Sequence, residues 1–181
     1  MSNVLGIDEI LRRSNQEFNR LTEFCIQFPD HPFFQQPSDD KWSAAQHLKH
    51  LIISTRTSTA AYALPKFLVR IVGGKPDRPS RSYEALVIKY QARLQQGAKA
   101  SGRYIPGNIK ATIGKNPLLT QWNKATQLYL DAIKKNWTSD QLDKYMVSHP
   151  ALGKITLREL SYFTIYHTYH HYNIIKHSKF L

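Results

Sequence analysis

Two histidines four residues apart give this sequence its clearest chemical signal. His167 and His171 lie in the segment ITLRELSYFTIYHTYHHYNIIKH, which otherwise has the pattern of a buried helix. Because an α-helix turns once every 3.6 residues, side chains at positions i and i+4 stack on one face, so both imidazoles can reach the same point. Neutral imidazole is a common metal ligand. The spacing indicates a metal site, but the same spacing also arises by chance in a histidine-rich helix.

The neighbouring residue types narrow the class of metal site. Thr168 and Tyr169 follow His167, so the glutamate base of a zincin-type HExxH protease is missing and that class is excluded. The single cysteine, Cys25, excludes an intramolecular disulfide and a thiolate zinc cluster within one chain. Any metal therefore needs nitrogen or oxygen ligands. Three histidine ligands would leave one coordination position open, which is the arrangement of catalytic zinc sites.

A capping box fixes the register of the helix that carries the histidine pair. Thr156 is followed three residues later by Glu159, a pairing in which each side chain bonds the other residue's backbone N–H. Counting from this cap predicts one inward-facing stripe, made of Leu157, Leu160, Thr164, His167, His171 and Ile174. Both histidines are therefore expected to point into the protein.

A second capping box, Ser43 with Gln46, begins the helix that offers the third ligand. Trp42 precedes the cap and can pack on His47, which gives His47 a packing role. His50 has no such local role and lies on a long core helix, so it is the preferred third ligand. If His50 proves dispensable for metal binding, His47 or His149 has to replace it.

The remaining sequence predicts an all-α protein with four long amphipathic helices. One helix covers about residues 6–28, and another runs from Pro117 to about Asn136. The expected buried positions of the latter are Leu118, Trp122, Ala125, Leu128 and Ala132. Short helices are expected at YEALVIKYQARLQQ and within SDQLDKYM, the segment DHPFFQQPSDDK is expected to be a loop, and no convincing strand pattern is present. We therefore expect an antiparallel four-helix bundle with extra short helices and a basic loop insertion, forming a single domain over residues 1–181.

Charge and hydropathy restrict the partners. The net charge is +12, with 25 basic and 13 acidic residues, and much of the excess lies between Pro65 and Lys115. Such a surface can attract nucleic acids or anionic small molecules, or it can have no specific ligand. The aromatic residues there follow no base-reading motif, so we interpret this segment as a solvated surface and expect no nucleic-acid partner. The chain has neither an apolar run of about 18 residues nor a signal-peptide core, so we expect a cytoplasmic protein with no membrane partner.

Two segments resemble the DinB-like superfamily: WSAAQHLKHL at residues 42–51 and HTYHHYNII at residues 167–175. The resemblance implies a DinB-type four-helix bundle in which His50, His167 and His171 hold a divalent ion, such as zinc, nickel or iron, with His170 as an additional histidine. It also implies a homodimer and relatives that transfer low-molecular-weight thiols, such as bacillithiol or mycothiol, to small electrophiles. Gln46 stands where family members often have glutamate, and Tyr172-Asn173-Ile174 replaces a basic-glycine-glutamine run, so the resemblance implies the metal site more than the substrate.

The sequence therefore leaves two interpretations of function. The first is a metal-dependent transferase of the thiol-transferase type, or a hydrolase, although no general base can be identified. The second is a non-enzymatic, stress-related binding or scaffold module whose metal site is structural or vestigial. Tyr166, Tyr169, Tyr172 and Asn173 share the last helix and could either bond to the metal ligands or simply pack against their neighbours.

Overall fold

The computed structural model describes residues 4–178 and is mainly helical, with 69% of residues in helices and one small sheet. In chain order, the elements are α1 (Ile7–Gln27), α2 (Asp30–Phe34), α3 (Ala44–Ala63), α4 (Lys66–Gly73), α5 (Tyr83–Gln95), α6 (Lys115–Asn136), α7 (Ser139–Leu142), β1 (Met146–His149), β2 (Gly153–Thr156) and α8 (Leu157–His177), with 3-10 turns at Gly102–Tyr104 and Ala111–Ile113. The expected mainly helical fold is confirmed.

The four long helices α1, α3, α6 and α8 pack around one apolar core, and their side-chain contacts give their directions. The Tyr62 hydroxyl of α3 donates to the Leu157 carbonyl at the start of α8, whereas His47 at the start of α3 contacts His171 near the end of α8. These two helices are therefore antiparallel. Helices α1 and α6 are antiparallel as well, because Phe18 packs on Tyr129 whereas the later Thr22 accepts from Trp122.

Helices α3 and α6, in contrast, run in the same direction. Lys49 bonds Gln121 near their starts, and the Tyr62 carbonyl accepts from Trp137 at their ends. Because two parallel helices of about 30 Å cannot be joined by a short turn, the connection has to travel back along the bundle. Residues 64–114 make this return and include α4 and α5. The basic segment is therefore the crossover connection of the bundle.

Both predicted capping boxes are present. Ser43 and Gln46 bond reciprocally at the start of α3, and Thr156 and Glu159 do so at the start of α8. Helix α6 begins at Lys115, two residues before the predicted proline, with Gly114 as its N-cap. The buried position predicted for Leu128 is wrong, since this residue is 49% exposed, and the inward-facing position predicted for Ile174 at the end of α8 is wrong as well, since it is 36% exposed. Tyr129 and Ile133, which follow Trp122 at helical spacing, occupy the core instead.

The sequence did not predict two elements, helix α2 and the β1–β2 hairpin. The predicted loop after α1 contains the five-residue helix α2, which forms because its proline lies in the first turn and Phe33 is buried against Phe28. The strands β1 and β2 form a hairpin with the pairs Met146↔Thr156 and Val147↔Ile155. The expectation of no strand is therefore wrong. It failed because strands of four residues are too short to show an alternating pattern.

Buried ion pairs hold the start of α8. The fully buried Glu159 accepts hydrogen bonds from the Arg78 guanidinium at 2.7 and 2.8 Å, from the Arg81 side chain, and from the Thr156 backbone N–H. Burial raises the pKa of the Glu159 carboxyl, but these bonds outweigh burial and lower the pKa below its ordinary value. The neighbouring Arg158 pairs with Asp143 through two bonds of 2.7 Å. Every charged group in this cluster, which we call the arginine–carboxylate network, has an internal partner.

No helix within residues 4–178 is long and apolar enough to cross a membrane.

Candidate metal centre

The three predicted ligands meet in the bundle core. His50 of α3 and His167 and His171 of α8 are 5%, 4% and 6% exposed. The Nε2 atom of His167 lies 3.1 Å from Nε2 of His50 and 3.0 Å from Nε2 of His171. Together they form the one group of three metal-ligating side chains found in the described part of the chain. The antiparallel packing of α3 and α8 brings His50 to the histidine pair across more than one hundred residues of sequence.

These distances suit a shared divalent ion. Two nitrogens bound to one zinc at 2.0–2.1 Å with an angle of about 100° lie roughly 3.2 Å apart. Without a cation, three closely spaced ring nitrogens at 3.0–3.1 Å would have to share protons or direct lone pairs at one another. In a buried site, unpaired lone pairs make the folded state less stable. A bound cation would accept these lone pairs and remove the cost. The histidines therefore could hold a metal ion.

The outer nitrogen of His50 is held by the crossover connection. Its Nδ1 lies 2.7 Å from the backbone carbonyl oxygen of Tyr104. A carbonyl oxygen only accepts, so Nδ1 carries the proton and the neutral ring keeps its Nε2 lone pair for a metal. The Nδ1 atom of His167 lies 3.4 Å from the Ser54 hydroxyl, which comes from the same face of α3.

His47 contacts His171 and is placed to orient its ring, a role that the sequence did not predict. Its Nδ1 atom lies 2.7 Å from Nδ1 of His171, so one ring donates to the other. Trp42 contacts His47, as expected for a hydrophobic staple, and also stacks on His171 with an interplanar angle of 11°. The signal for this role is the three-residue spacing of His47 and His50, which places both on one face of α3.

Burial keeps the centre neutral. It lowers the pKa of His167 and His171 well below the ordinary value, and the neighbouring histidines lower it further. Burial likewise lowers the pKa of His47 to about 4, while the pKa of His50 is lowered by burial and partly restored by the Tyr104 carbonyl. Neutral rings at pH 7 are the form that binds metals.

The remaining candidates on α8 do not join the three ligands. His170 packs on Tyr90, and it is not part of the three-histidine group. The Tyr166 hydroxyl accepts from Gln91, and the Tyr172 ring packs on Phe24. The Asn173 carbonyl bonds His177, and Tyr169 is 38% exposed. Within residues 4–178, none of these side chains hydrogen-bonds to His50, His167 or His171.

A cavity of about 1020 Å³ adjoins the three histidines. It is lined by the buried Ser54 and Ser58 of α3, by apolar residues of α4 and β1, and by exposed basic side chains of the crossover connection. Gly73 of α4 permits this enclosure, because a Cβ atom there would lie only 1.7 Å from the Met146 carbonyl oxygen of β1.

Family comparison agrees with this architecture. The family model described as DinB superfamily matches residues 13–175, which include α3 and α6 completely, most of α1 and α8, and all three candidate ligands. The chain belongs to the DinB superfamily. No curated protein matches it. The family resemblance inferred from the two histidine-bearing segments is thereby confirmed, and membership is compatible with a metal-binding helical protein.

Proposed function

We propose that this DinB superfamily protein is a metal-dependent transferase of the thiol-transferase type, with zinc, nickel or iron held by His50, His167 and His171. The observation that carries the proposal is the convergence of three neutral, buried imidazoles whose Nε2 atoms face one another. Three protein nitrogens leave a coordination position for a substrate. A divalent ion with such a position lowers the pKa of a bound thiol and stabilises the thiolate.

The protein's own residues support this role by orienting the ligands and shaping the site. Tyr104, Ser54 and His47 contact the outer nitrogens of the three ligands. Trp42 packs against the rings of His50 and His171 and shields them from water. The cavity is at the upper end of the range for small-molecule sites, so a low-molecular-weight thiol and a small electrophile fit together.

Proton transfer would not need a protein base beside the metal. Asp40 is the one carboxylate among the described residues that line the cavity, and its pKa is lowered by the Ser38 hydroxyl, so it is a weak base. The thiol proton would pass to solvent as the thiol binds. The sulfur would then form a bond to the electrophilic carbon as the leaving group departs with the electron pair of the broken bond.

A transfer assay tests the proposal. Zinc-, nickel- and iron-loaded protein is mixed with bacillithiol, mycothiol or glutathione and with 1-chloro-2,4-dinitrobenzene, and release of chloride and formation of the thioether are followed. We expect thioether formation that requires metal, is lost in His167→Ala and is retained in His177→Ala, the matched control on the exposed end of the same helix. Equal rates with and without metal would contradict the proposal. Metal binding without transfer of any thiol would favour the non-enzymatic binding module.

A further inference from the structure

The turn of the β1–β2 hairpin forms one wall of the cavity and is clamped by α5. Lys89 donates to the Leu152 carbonyl at 2.9 Å, and the Arg93 Nε atom donates to the Ala151 carbonyl at 3.0 Å. His149 closes the turn from inside, because its Nδ1 atom accepts from the backbone N–H groups of Ala151 and Leu152, both at 3.2 Å. His149 and Arg93 are therefore anchored on the same stretch of backbone.

These bonds fix the tautomer of His149. A nitrogen that accepts two N–H bonds carries a lone pair, so the proton of the neutral ring lies on Nε2. Burial lowers the pKa of His149 to about 4, so the ring is neutral at pH 7. Within residues 4–178, the Nε2 atom of His149 has no hydrogen-bond partner. It is also not one of the fully buried polar atoms that lack a partner. Because His149 lines the cavity, Nε2–H is a donor available to a ligand.

One aromatic ring connects this donor to the metal ligands. His149 packs on Phe163 with ring centroids 4.1 Å apart, and Phe163 stacks on His167 with centroids 4.6 Å apart. His149 and the three histidines therefore line the same cavity, with the Phe163 ring between His149 and His167. The Phe163 ring fixes the orientation of both imidazoles but offers no hydrogen-bonding group of its own.

The charges of the cavity rim favour an anion. Lys41, Arg93, Lys99 and Arg103 line the cavity, and none of them forms an ion pair within the described residues. The opposing carboxylate is Asp40, which accepts from Ser38. Among the described residues, the Arg93 guanidinium bonds only neutral oxygens, those of the Ala151 carbonyl and the Gln96 side chain. Its positive charge is therefore available to a carboxylate. The planar guanidinium matches the geometry of carboxylates, as it does that of phosphates.

We propose that His149 and Arg93 form a carboxylate-binding subsite beside the metal centre. The cavity then takes a small molecule with two functional groups, one that reaches the three histidines and a carboxylate that accepts from His149 Nε2–H and Arg93. This inference deepens the proposed function, on which it rests, by specifying the chemical class of the substrate. Neutral molecules of the same length bind the same cavity more weakly.

The first experiment observes the subsite without relying on the metal. Propionate is titrated into the full-length protein while the His149 ring resonances are followed by proton–nitrogen NMR, with the neutral propionamide as control. We expect saturable shifts with propionate alone. These shifts are lost in Arg93→Gln and kept in Lys134→Gln, a variant with the same change of net charge on the exposed face of α6. Absence of shifts, or equal shifts with propionamide or in Arg93→Gln, would overturn the subsite.

The second experiment connects the subsite to the metal. Cobalt-loaded protein is titrated with 3-mercaptopropionate and with 3-mercapto-1-propanol, and the thiolate-to-cobalt absorption reports binding. We expect the acid to bind about tenfold more tightly, as for one charge-assisted hydrogen-bonded pair. His149→Asn and Arg93→Gln should reduce this preference to about twofold or less while leaving the affinity for the alcohol and for cobalt unchanged.

His149→Asn is chosen because an asparagine oxygen can still accept from the backbone N–H two residues later, which preserves the turn and removes only the distant donor. An equal affinity for acid and alcohol in the unmodified protein, or a preference that survives both substitutions, would overturn the inference. Failure to bind cobalt would instead contradict the proposed metal function, and the propionate titration would still decide the subsite.

Discussion

Helix α8 carries a buried polar cluster at each end, and the two clusters are satisfied in different ways. At its start, Glu159 and Arg158 find internal partners of opposite charge in Arg78 and Asp143. Towards its end, His167 and His171 are neutral, and their Nε2 atoms face each other and His50. A polar cluster that is complete without a ligand stabilises the fold. In the histidine cluster, by contrast, the facing Nε2 atoms have no donor of their own, and a bound metal ion would satisfy them. We therefore assign the function to the histidines.

The largest expected effect comes from Glu159→Ala, which breaks the ion pairs at the start of α8. Removing the carboxylate leaves Arg78, Arg81 and the Thr156 N–H without their acceptor. Because the arginine side chains are 27% and 29% exposed and keep some hydration, we expect a loss of about 3 kcal/mol in the free energy of unfolding, at the low end for a broken buried pair. Urea denaturation measures this loss, with the exposed Glu84→Ala as control. A loss similar to that of the control would show that the network is not structural.

Metal should act on the opposite end of α8. A ligand that binds only the folded state stabilises it by about 2.7 kcal/mol when its free concentration is one hundred times Kd. We expect zinc to raise the free energy of unfolding by this amount in the unmodified protein and in Glu159→Ala, but not in His167→Ala. Thermal denaturation with and without zinc provides the measurement. Equal stabilisation of His167→Ala would place the metal elsewhere.

His47→Phe should show how far the orientation of His171 contributes to metal affinity, because it changes the contact with His171 and leaves the three candidate ligands in place. The substitution removes the contact with His171 Nδ1 but retains a ring next to Trp42. Loss of a group that orients a metal ligand typically weakens metal affinity about 10- to 100-fold. Competition with a chelator of known affinity reports the change, and we expect full occupancy at saturating zinc. No change in affinity would reduce His47 to a packing residue.

The smallest effect concerns acid stability. The folded-state pKa of Glu159 lies below its unfolded value, chiefly because the Arg78 bonds outweigh the effect of burial. Its contribution is therefore complete above the unfolded pKa of about 4.5 and is lost as pH falls through the lower folded-state pKa. In metal-free protein we expect the stability of Glu159→Gln to decline less steeply between pH 6 and pH 3 than that of the unmodified protein, because the variant has no carboxylate to protonate at this position. Identical pH profiles would contradict this assignment.

The sequence allowed the grouping of His50, His167 and His171 to be predicted because local signals fix helix register. The Thr156–Glu159 and Ser43–Gln46 boxes set the faces of α8 and α3, and the histidines then follow by counting. It did not predict what depends on tertiary contact. The bond between His47 and His171 links residues 124 positions apart, and the Tyr104 carbonyl that orients His50 comes from the crossover connection. Likewise, α2 and the β1–β2 hairpin are too short for periodicity to reveal.

The metal content of the protein decides whether His50, His167 and His171 hold a metal ion. Protein expressed without a histidine tag is dialysed, and bound zinc, nickel and iron are measured per chain by elemental analysis, with His50→Ala and the exposed control His177→Ala treated in parallel. We expect close to one divalent ion per chain in the unmodified protein and in His177→Ala, and almost none in His50→Ala, whose helical content stays nearly unchanged. No retained metal in the unmodified protein, together with no loss of stability on adding a chelator, would contradict this expectation.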